Sequence, residues 1–321
     1  GDFEPIRPLV KNAIEEIQIA ANRTEGISGL STGFPKIDEM TSGWQNSDLI
    51  IIAARPAMGK TAFVVSMARY MAVDQGIPVA LFNLEMSSVQ LVKRFLSNVC
   101  EIDGQKIKSG RLDDVEWARL NNRMAALEAA PLYINDTPSL SVFELRTKAR
   151  RLVSQHQVKL IIIDYLQLMN ASGMSFGNRE QEVSTISRSL KMLAKELNIP
   201  IIALSQLNRG VENRQQGGDA NSKRPQLSDL RESGAIEQDA DIVCFIHRPE
   251  YYKITVDSET GESLKGVGEF IIAKHRNGPV GEVRLAFKSD YARFSPLEDL
   301  QPGAEADATR PTTSLSGRSL T

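Results

Sequence analysis

Two cysteines in 321 residues, Cys100 and Cys244, cannot build a disulfide framework or a cysteine metal site. Excess charge of one sign is equally scarce: 38 basic and 40 acidic residues leave a formal net charge of -2, which offers a polyanion no general attraction. Any contact with nucleic acid must therefore come from local basic loops. Long apolar runs are missing as well. The longest are strand-sized, far short of the ~20 residues that cross a bilayer as a helix, and no basic leader precedes a signal-type apolar stretch. These absences argue against a disulfide-stapled secreted scaffold and a helical membrane protein, and a reducing cytoplasm fits best. With 41% hydrophobic and 24% charged residues, the composition suits one α/β domain of about 250 residues with appendages.

What is present is a phosphate cradle. Residues 54–61 read Ala-Arg-Pro-Ala-Met-Gly-Lys-Thr, between the apolar run Leu49 to Ala53 and a helical-looking stretch from Ala62 to Val73. In that arrangement a strand delivers a loop whose backbone N–H groups, with those of the helix start, face an anionic phosphate. The cradle is assigned to Arg55, Pro56, Ala57, Met58, Gly59, Lys60, Thr61 and Ala62, with Lys60 as a point charge and the Thr61 hydroxyl directed to Mg²⁺. The usual pattern opens on glycine. Ala54 stands there instead, so that position needs a backbone conformation that tolerates a Cβ, while Gly59 is intact. The expectation is a nucleoside triphosphate with Mg²⁺; the plainer alternative is a Gly-containing strand-to-helix turn.

Near the start of the chain, Pro8 is followed by Leu9, Val10, Ala13, Ile14, Ile17 and Ala21, a helical apolar stripe opened by a proline at a tolerated position. Such a helix is marginal alone in water, and we expect it to dock on a neighbouring subunit. Apolar strands near 49–54, 79–84, 159–164, 199–205 and 241–247 alternate with helical patterns such as 87–99 and 180–197. This predicts an α/β fold, a mostly parallel sheet with helices on both faces. Gly266 to His275 and Gly281 to Phe287 flank Asn277-Gly278 and read as an appended antiparallel hairpin. The expected divisions are a helical segment over 1–25, a nucleotide-binding domain over 26–298 and a disordered tail over 299–321, rich in Pro, Gly, Thr, Ser and Ala.

Three strands end in polar residues suited to phosphate chemistry. Leu160 to Ile163 ends in Asp164, which puts a carboxylate at the sheet's carboxyl edge, near the Thr61 metal site. Many buried strands end in Asp as a loop cap, but beside a phosphate cradle Asp164 is assigned to the metal. Val79 to Leu84 ends in Glu85, a carboxylate able to accept the proton of a water attacking the γ-phosphorus; on spacing alone it serves equally as a helix cap. Pro200 to Ser205 ends in Gln206, an amide able to bond the γ-phosphate or the water, or simply a polar strand end. Lys60, Glu85, Asp164 and Gln206 all fall just past apolar strands, where open α/β sheets bind ligands.

Five blocks, in order, carry a family resemblance: Ala53 to Thr61, Leu84 to Ser87, Ile163 to Gln167, Ala203 to Arg209, and Lys274-His275-Arg276-Asn277-Gly278-Pro279. From about Ser31 to Pro296 the sequence resembles the RecA-type motor domain of bacterial replicative DNA helicases, the DnaB family. The resemblance implies a RecA-like P-loop core, makes Ala54 an ordinary variant, and assigns Glu85 as catalytic base, Asp164 to metal and Gln206 as phosphate sensor. It also implies that Lys274 and Arg276, two apart on a strand and so on one face, reach the γ-phosphate of the next subunit as fingers in trans. Without it, an exposed Lys/Arg pair is a solvated hairpin tip.

Further implications concern DNA and assembly. Leu230 to Asp241 resembles the block that lines the central channel, with Arg231, Glu232 and Gly234 at backbone-contacting positions; it also reads as a helix start with carboxylates near its positive end. Two long polar segments, Asn170 to Arg179 and Asn208 to Asp229, follow catalytic strands and are placed to move when the γ-phosphate is lost. The second carries Arg209, Arg214, Lys223 and Arg224, taken as DNA contacts. The implied protein is a homohexameric ring that hydrolyses ATP, moves 5′ to 3′ on single-stranded DNA and separates duplex, with a primase and a helicase loader as partners. Residues 1–25 would be its linker helix and 26–298 its motor. Full-length members carry an amino-terminal domain ahead of this stretch, so primase docking through it is expected to be lost or weakened here. The rival is a recombinase or clock-type ATPase in which nucleotide controls assembly without unwinding; the blocks at 231–234 and 274–279 favour the helicase. A small-molecule kinase is more distant, since no acceptor pocket or lid is evident.

Overall fold

A computed structural model describes residues 3–22, 26–171, 176–211 and 223–300. In chain order the helices are α1 (Ile6–Asn22), α2 (Pro35–Thr41), α3 (Lys60–Ala68), α4 (Ser88–Cys100), α5 (Gly104–Ser109), α6 (Asp114–Glu128), α7 (Val142–His156), α8 (Arg179–Leu197) and α9 (Gly234–Asp239). The strands are β1 (Leu49–Ala54), β2 (Val79–Asn83), β3 (Leu132–Asn135), β4 (Leu160–Asp164), β5 (Ile201–Gln206), β6 (Ile242–His247), β7 (Val267–His275), β8 (Gly281–Lys288) and β9 (Arg293–Pro296). They form one nine-stranded sheet in the order β3-β2-β4-β5-β1-β6-β7-β8-β9. The strands from β3 to β6 in that order run parallel, and β7, β8 and β9 run antiparallel.

β1 is buried along its whole length, as a run of unbroken apolar residues requires when helices cover both faces. Its side chains alternate between two cores. Ile50, Ile52 and Ala54 meet Trp44 and Phe63 in one layer; Leu49, Ile51 and Ala53 meet Ile186 and Leu190 of α8 in the other. Phe63 is sandwiched between Phe34 and Phe270, with ring centroids 5.1 and 4.8 Å away. Helices α2, α3 and α4 supply the first layer, and α7, α8 and α9 the second.

The expected hairpin is present and longer than expected, because β9 folds back onto β8. β3, a four-residue half-buried strand at the sheet's edge, is also additional. α1 buries no residue, and Ile6, Ile14 and Ile17 face outward. The chain past Leu300 lies outside the described residues, whereas Asp299 and Leu300 close a 3-10 turn on the domain. Among the described residues no helix is long and apolar enough to cross a membrane.

Candidate active site

β1 aims the chain at the carboxyl edge of the sheet, where it turns through the cradle and enters α3 at Lys60. Gly59 makes that turn at φ 93° and ψ 23°, and a Cβ there would lie 2.8 Å from the Phe294 ring. Glycine is therefore required on both conformational and steric grounds. Ala54 is still the last residue of β1, in extended conformation, which is why a side chain is tolerated where the usual pattern has glycine. The loop is pinned from two sides. The Arg55 guanidinium donates to the Leu207 carbonyl at 2.8 Å, and that of Arg248 donates to the Ala57 carbonyl at 2.9 Å while stacking 4.0 Å over Phe287. Arg55 thus ties the cradle to the end of β5 through its side chain. Pro56, Ala57, Gly59, Lys60, Thr61 and Ala62 line a cleft of about 330 Å³, and Met58 is buried beneath them.

Parallel register brings the polar strand ends to one level: Ala54 pairs with Gln206, and Asn83 with Asp164. Asp164 is 2% exposed. Thr61 Oγ1 donates to its Oδ2 at 3.5 Å, and Lys60 Nζ stands 3.6 Å from Oδ1 and 4.3 Å over the Tyr165 ring. At that separation Lys60 is an ion-pair partner only, and Oδ1 stays buried without a hydrogen bond. Burial, and then the nearby Glu85 charge, push the Asp164 carboxyl above its ordinary pKa, against the pull of Lys60 and Thr61. A buried carboxylate with an open lone pair beside a hydroxyl suits a hard cation that takes oxygen ligands. Among the described residues no group of three or more His, Cys, Asp or Glu side chains is placed to hold a metal ion.

Glu85 leaves the sheet edge through a turn built by Asn83, whose Oδ1 accepts from the Glu85 and Met86 N–H groups at 3.1 and 3.2 Å. Its carboxylate is exposed in the cleft. The α4 cap is Ser87, in a reciprocal capping box with Gln90, so the helix does not need Glu85 for that purpose. Gln206 lines the same cleft and also a second one of about 680 Å³. Gln167 laces the two strand ends together: its Nε2 donates to Ser205 Oγ at 2.7 Å, and its Oε1 accepts from the Gln206 N–H at 3.2 Å. Arg94 of α4 also lines the phosphate cleft. Sequence reasoning assigned no role to Gln167, Arg94 or Arg248; the α4 period places Arg94 on a face, but not what that face meets.

Lys274 and Arg276 lie elsewhere. Lys274 Nζ donates to the Glu237 carbonyl, and the Arg276 guanidinium donates to the Gln238 carbonyl and stands 3.5 Å from Asp241 Oδ1. Both thus face the carboxyl end of α9, while His275 turns to the Pro279 carbonyl at 3.0 Å. Lys274 pairs with Val243, which pairs with Ile51; the Arg276 N–H donates to the Asp241 carbonyl, and the Asp241 N–H donates to that of Leu49. Arg276 is therefore level with the start of β1. At about 3.3 Å per residue, roughly 17 Å of strand separates it from the cradle of its own chain.

Arg209 sits in a 3-10 turn, Arg209–Val211, and lines the larger cleft beside Gln167 and Gln206. Arg214 lies outside the described residues, as do 172–175. Lys223 follows where the description resumes, and Arg224 forms ion pairs with Glu269, at 2.9 Å, and Glu282 on the hairpin strands. Arg231 and Glu232 belong to a 3-10 segment, Leu227–Ser233, and Gly234 opens α9.

Residues 29–296 match the family of DnaB-like helicase C-terminal domains. The chain is 49% identical to the replicative DNA helicase DnaB of Geobacillus stearothermophilus over 310 residues, covering 95% of this chain and 66% of that protein. It is 48% identical to the replicative DNA helicase DnaC of Bacillus subtilis (strain 168), covering 92% of this chain and 63% of that one. It thus spans slightly under two thirds of these curated relatives. Among solved structures, one of an isolated ATPase domain superposes with a TM-score of 0.81 at 39% identity, covering 92% of this chain and 100% of that chain. A DnaB-like replicative helicase, described with its interactions with primase, gives 0.77 at 40% identity, covering 93% and 68%.

Proposed function

The chain belongs to the family of DnaB-like helicase C-terminal domains, and from that premise we propose that it is the ATP-driven motor of a replicative DNA helicase. The observation that carries this is the division of its catalytic groups between opposite edges of one sheet. Lys60, Thr61, Glu85 and Gln206 surround one cleft, while Arg276 sits level with the start of β1, and Lys274, level with Ile51, turns its amine to the same carboxyl end of α9. Stacking subunits edge to edge would bring one chain's basic pair to the next chain's phosphates, and such a head-to-tail contact builds a ring when its rotation closes. We take that ring to be a homohexamer, as the family implies.

Within the cleft, loop N–H groups and Lys60 bind and orient the triphosphate of ATP. Thr61 and Asp164 would hold Mg²⁺, which when bound would neutralise developing phosphate charge. Glu85 accepts the proton of the attacking water, and Gln206 senses whether the γ-phosphate is present. Loss of that contact would pass to Arg209, three residues on, which lines one cleft with Gln206. The Gln167 bridge makes β4 and β5 respond together. Arg209, Arg214, Lys223, Arg224 and the block Arg231, Glu232, Gly234 form the single-stranded DNA surface, holding backbone rather than bases, as a motor indifferent to sequence requires. Arg224 would have to exchange its acidic partners for phosphate.

Residues 1–25 act as a linker helix whose apolar stripe docks on the adjoining motor; the support is that α1 buries nothing on its own chain. A primase and a helicase loader are proposed partners of the whole protein, which would work in the cytoplasm. The test is ATP turnover with and without single-stranded DNA, together with opening of a forked duplex, each with Lys60→Ala as control. The proposal expects stimulation and strand separation, both abolished by the substitution. DNA-independent turnover without strand separation would instead indicate an ATPase of the assembly-controlling kind.

A further inference from the structure

α9 connects two regions that the proposed function treats separately. Its amino end continues directly from the 3-10 segment Leu227–Ser233, which contains the block proposed to contact DNA. Its carboxyl end presents the carbonyls of Glu237 and Gln238 to Lys274 and Arg276. Last-turn carbonyls have no partner inside a helix and carry its negative pole, so a Lys/Arg pair is a natural occupant. A six-residue helix is only about 9 Å long, short enough to move as one body.

The seat is built on several elements. Asp239, the last residue of α9, accepts from Ser187 of α8 at 2.9 Å, and Ile236 is fully buried against α8. Asp241 is a hub: its Oδ2 accepts from Lys191 of α8 at 2.6 Å and from the Leu49 N–H at 2.8 Å, while Oδ1 faces Arg276. Lys191 in turn donates to the Ser47 carbonyl at 2.8 Å. The Arg276 guanidinium is held by the Gln238 carbonyl and Asp241 Oδ1, while the side chain as a whole is 44% exposed. To reach a neighbouring chain either basic group must leave or share this seat, so the position of the seat sets where the group can extend.

We propose that α9 is a relay through which the polynucleotide block of one subunit sets the reach of Lys274 and Arg276 into the neighbouring subunit's cleft, with Asp241 and Ser187 as positioning residues. The relay rests on the reading of 231–234 as a DNA contact and of the basic pair as trans-acting. DNA bound at the amino end of α9 shifts the helix, and the carbonyl seat at its other end moves with it. The DNA-stimulated part of ATP turnover therefore depends on groups that touch neither DNA nor nucleotide.

The test uses the assembled protein with Mg²⁺-ATP, measuring turnover against ATP concentration with and without oligo-dT. Ser187→Ala removes one hydrogen bond between α8 and the end of α9; stimulation by oligo-dT is expected to fall about fivefold, with KM for ATP and affinity for oligo-dT unchanged. Asp241→Asn keeps the shape of the hub and removes its charge; stimulated kcat is expected to fall about tenfold, again at constant KM. A merely structural role would lower the urea midpoint and leave the stimulation ratio of the folded protein intact. Arg276→Ala is assayed alongside. If Arg276→Ala is inactive while both other variants keep wild-type stimulation, the relay is overturned and the trans-acting pair stands. If Arg276→Ala turns over like the wild type, the reading beneath the relay is overturned as well.

Discussion

Two inactive variants should make an active mixture. Lys60→Ala removes the cation of the cradle, and Arg276→Ala removes the basic group level with Leu49, roughly 17 Å of strand away at about 3.3 Å per residue. That span exceeds the reach of an arginine side chain, so the two groups cannot meet on one phosphate within a chain. Arg276→Ala alone should lose turnover by about 10³ to 10⁵, the range found when a transition-state arginine is removed from an NTPase, and Lys60→Ala, without the cation of the cradle, should be inactive as well. Lys60→Ala should still fold, because burial already raises the Asp164 pKa and the carboxyl can take a proton when its ion-pair partner leaves.

When both variants are co-expressed in equal amounts, a cleft is whole if its own chain keeps Lys60 and the adjoining chain keeps Arg276. For random assembly that is one half times one half, so about a quarter of the clefts are complete, whatever the ring size. Steady-state ATP turnover of the mixture should therefore rise from near zero toward a quarter of wild type, with co-assembly checked by size-exclusion chromatography of differently tagged chains. A co-assembled mixture no more active than either variant would show that no subunit lends its basic group to another, and the two-edge mechanism would fall.

Other consequences are local. Gly59→Ala forces a side chain into φ 93° and a Cβ to 2.8 Å from the Phe294 ring; it should cost about 1–3 kcal/mol in urea unfolding and weaken nucleotide binding, and a stability within ~0.5 kcal/mol of wild type would contradict the steric argument. Asp48 is raised from 3.8 to about 6, first by burial and then by Asp241, against Lys191 and Arg276. Between about pH 4 and about pH 6 the folded chain thus holds a proton that the unfolded chain releases, so this group's contribution to stability is greatest at the acid end and declines as pH rises through the window. Asp48→Asn should gain on wild type in urea midpoint from about pH 4 to about pH 7 and then hold a constant lead; a difference that does not vary with pH would refute the assignment.

The strands most legible in the sequence were those buried on both faces. β1, β2, β4, β5 and β6 read as unbroken apolar runs, whereas β3 is half exposed with mixed residues and lacks that signal. The cradle and the polar ends at Glu85, Asp164 and Gln206 were legible because each adjoins a strand, and parallel pairing then places such ends together. Arg248 was not. It reaches the Ala57 carbonyl across 191 positions of sequence, a contact made by the fold of the sheet and by nothing local. Charge counting also has a blind side. It grouped Arg224 with the other basic residues of its loop, but the partners that engage it, Glu269 and Glu282, arrive from β7 and β8.

The reversal of β7 has a consequence that no inventory of site residues contains. In a parallel sheet every strand ends at the same edge, so groups placed just past strand ends converge, as Glu85, Asp164 and Gln206 do around the cradle. β7 runs the other way against β6, and a group at its end is returned to the edge where β1 begins. Were β7 parallel, Lys274 and Arg276 would end beside Lys60, and under the proposed function a single chain could complete its own chemistry. The antiparallel turn instead returns Arg276 to the level where β1 begins, away from the cradle of its own chain. Under the proposed function, hydrolysis would then require a neighbour presented in one orientation, and such a motor would not spend ATP productively until assembled.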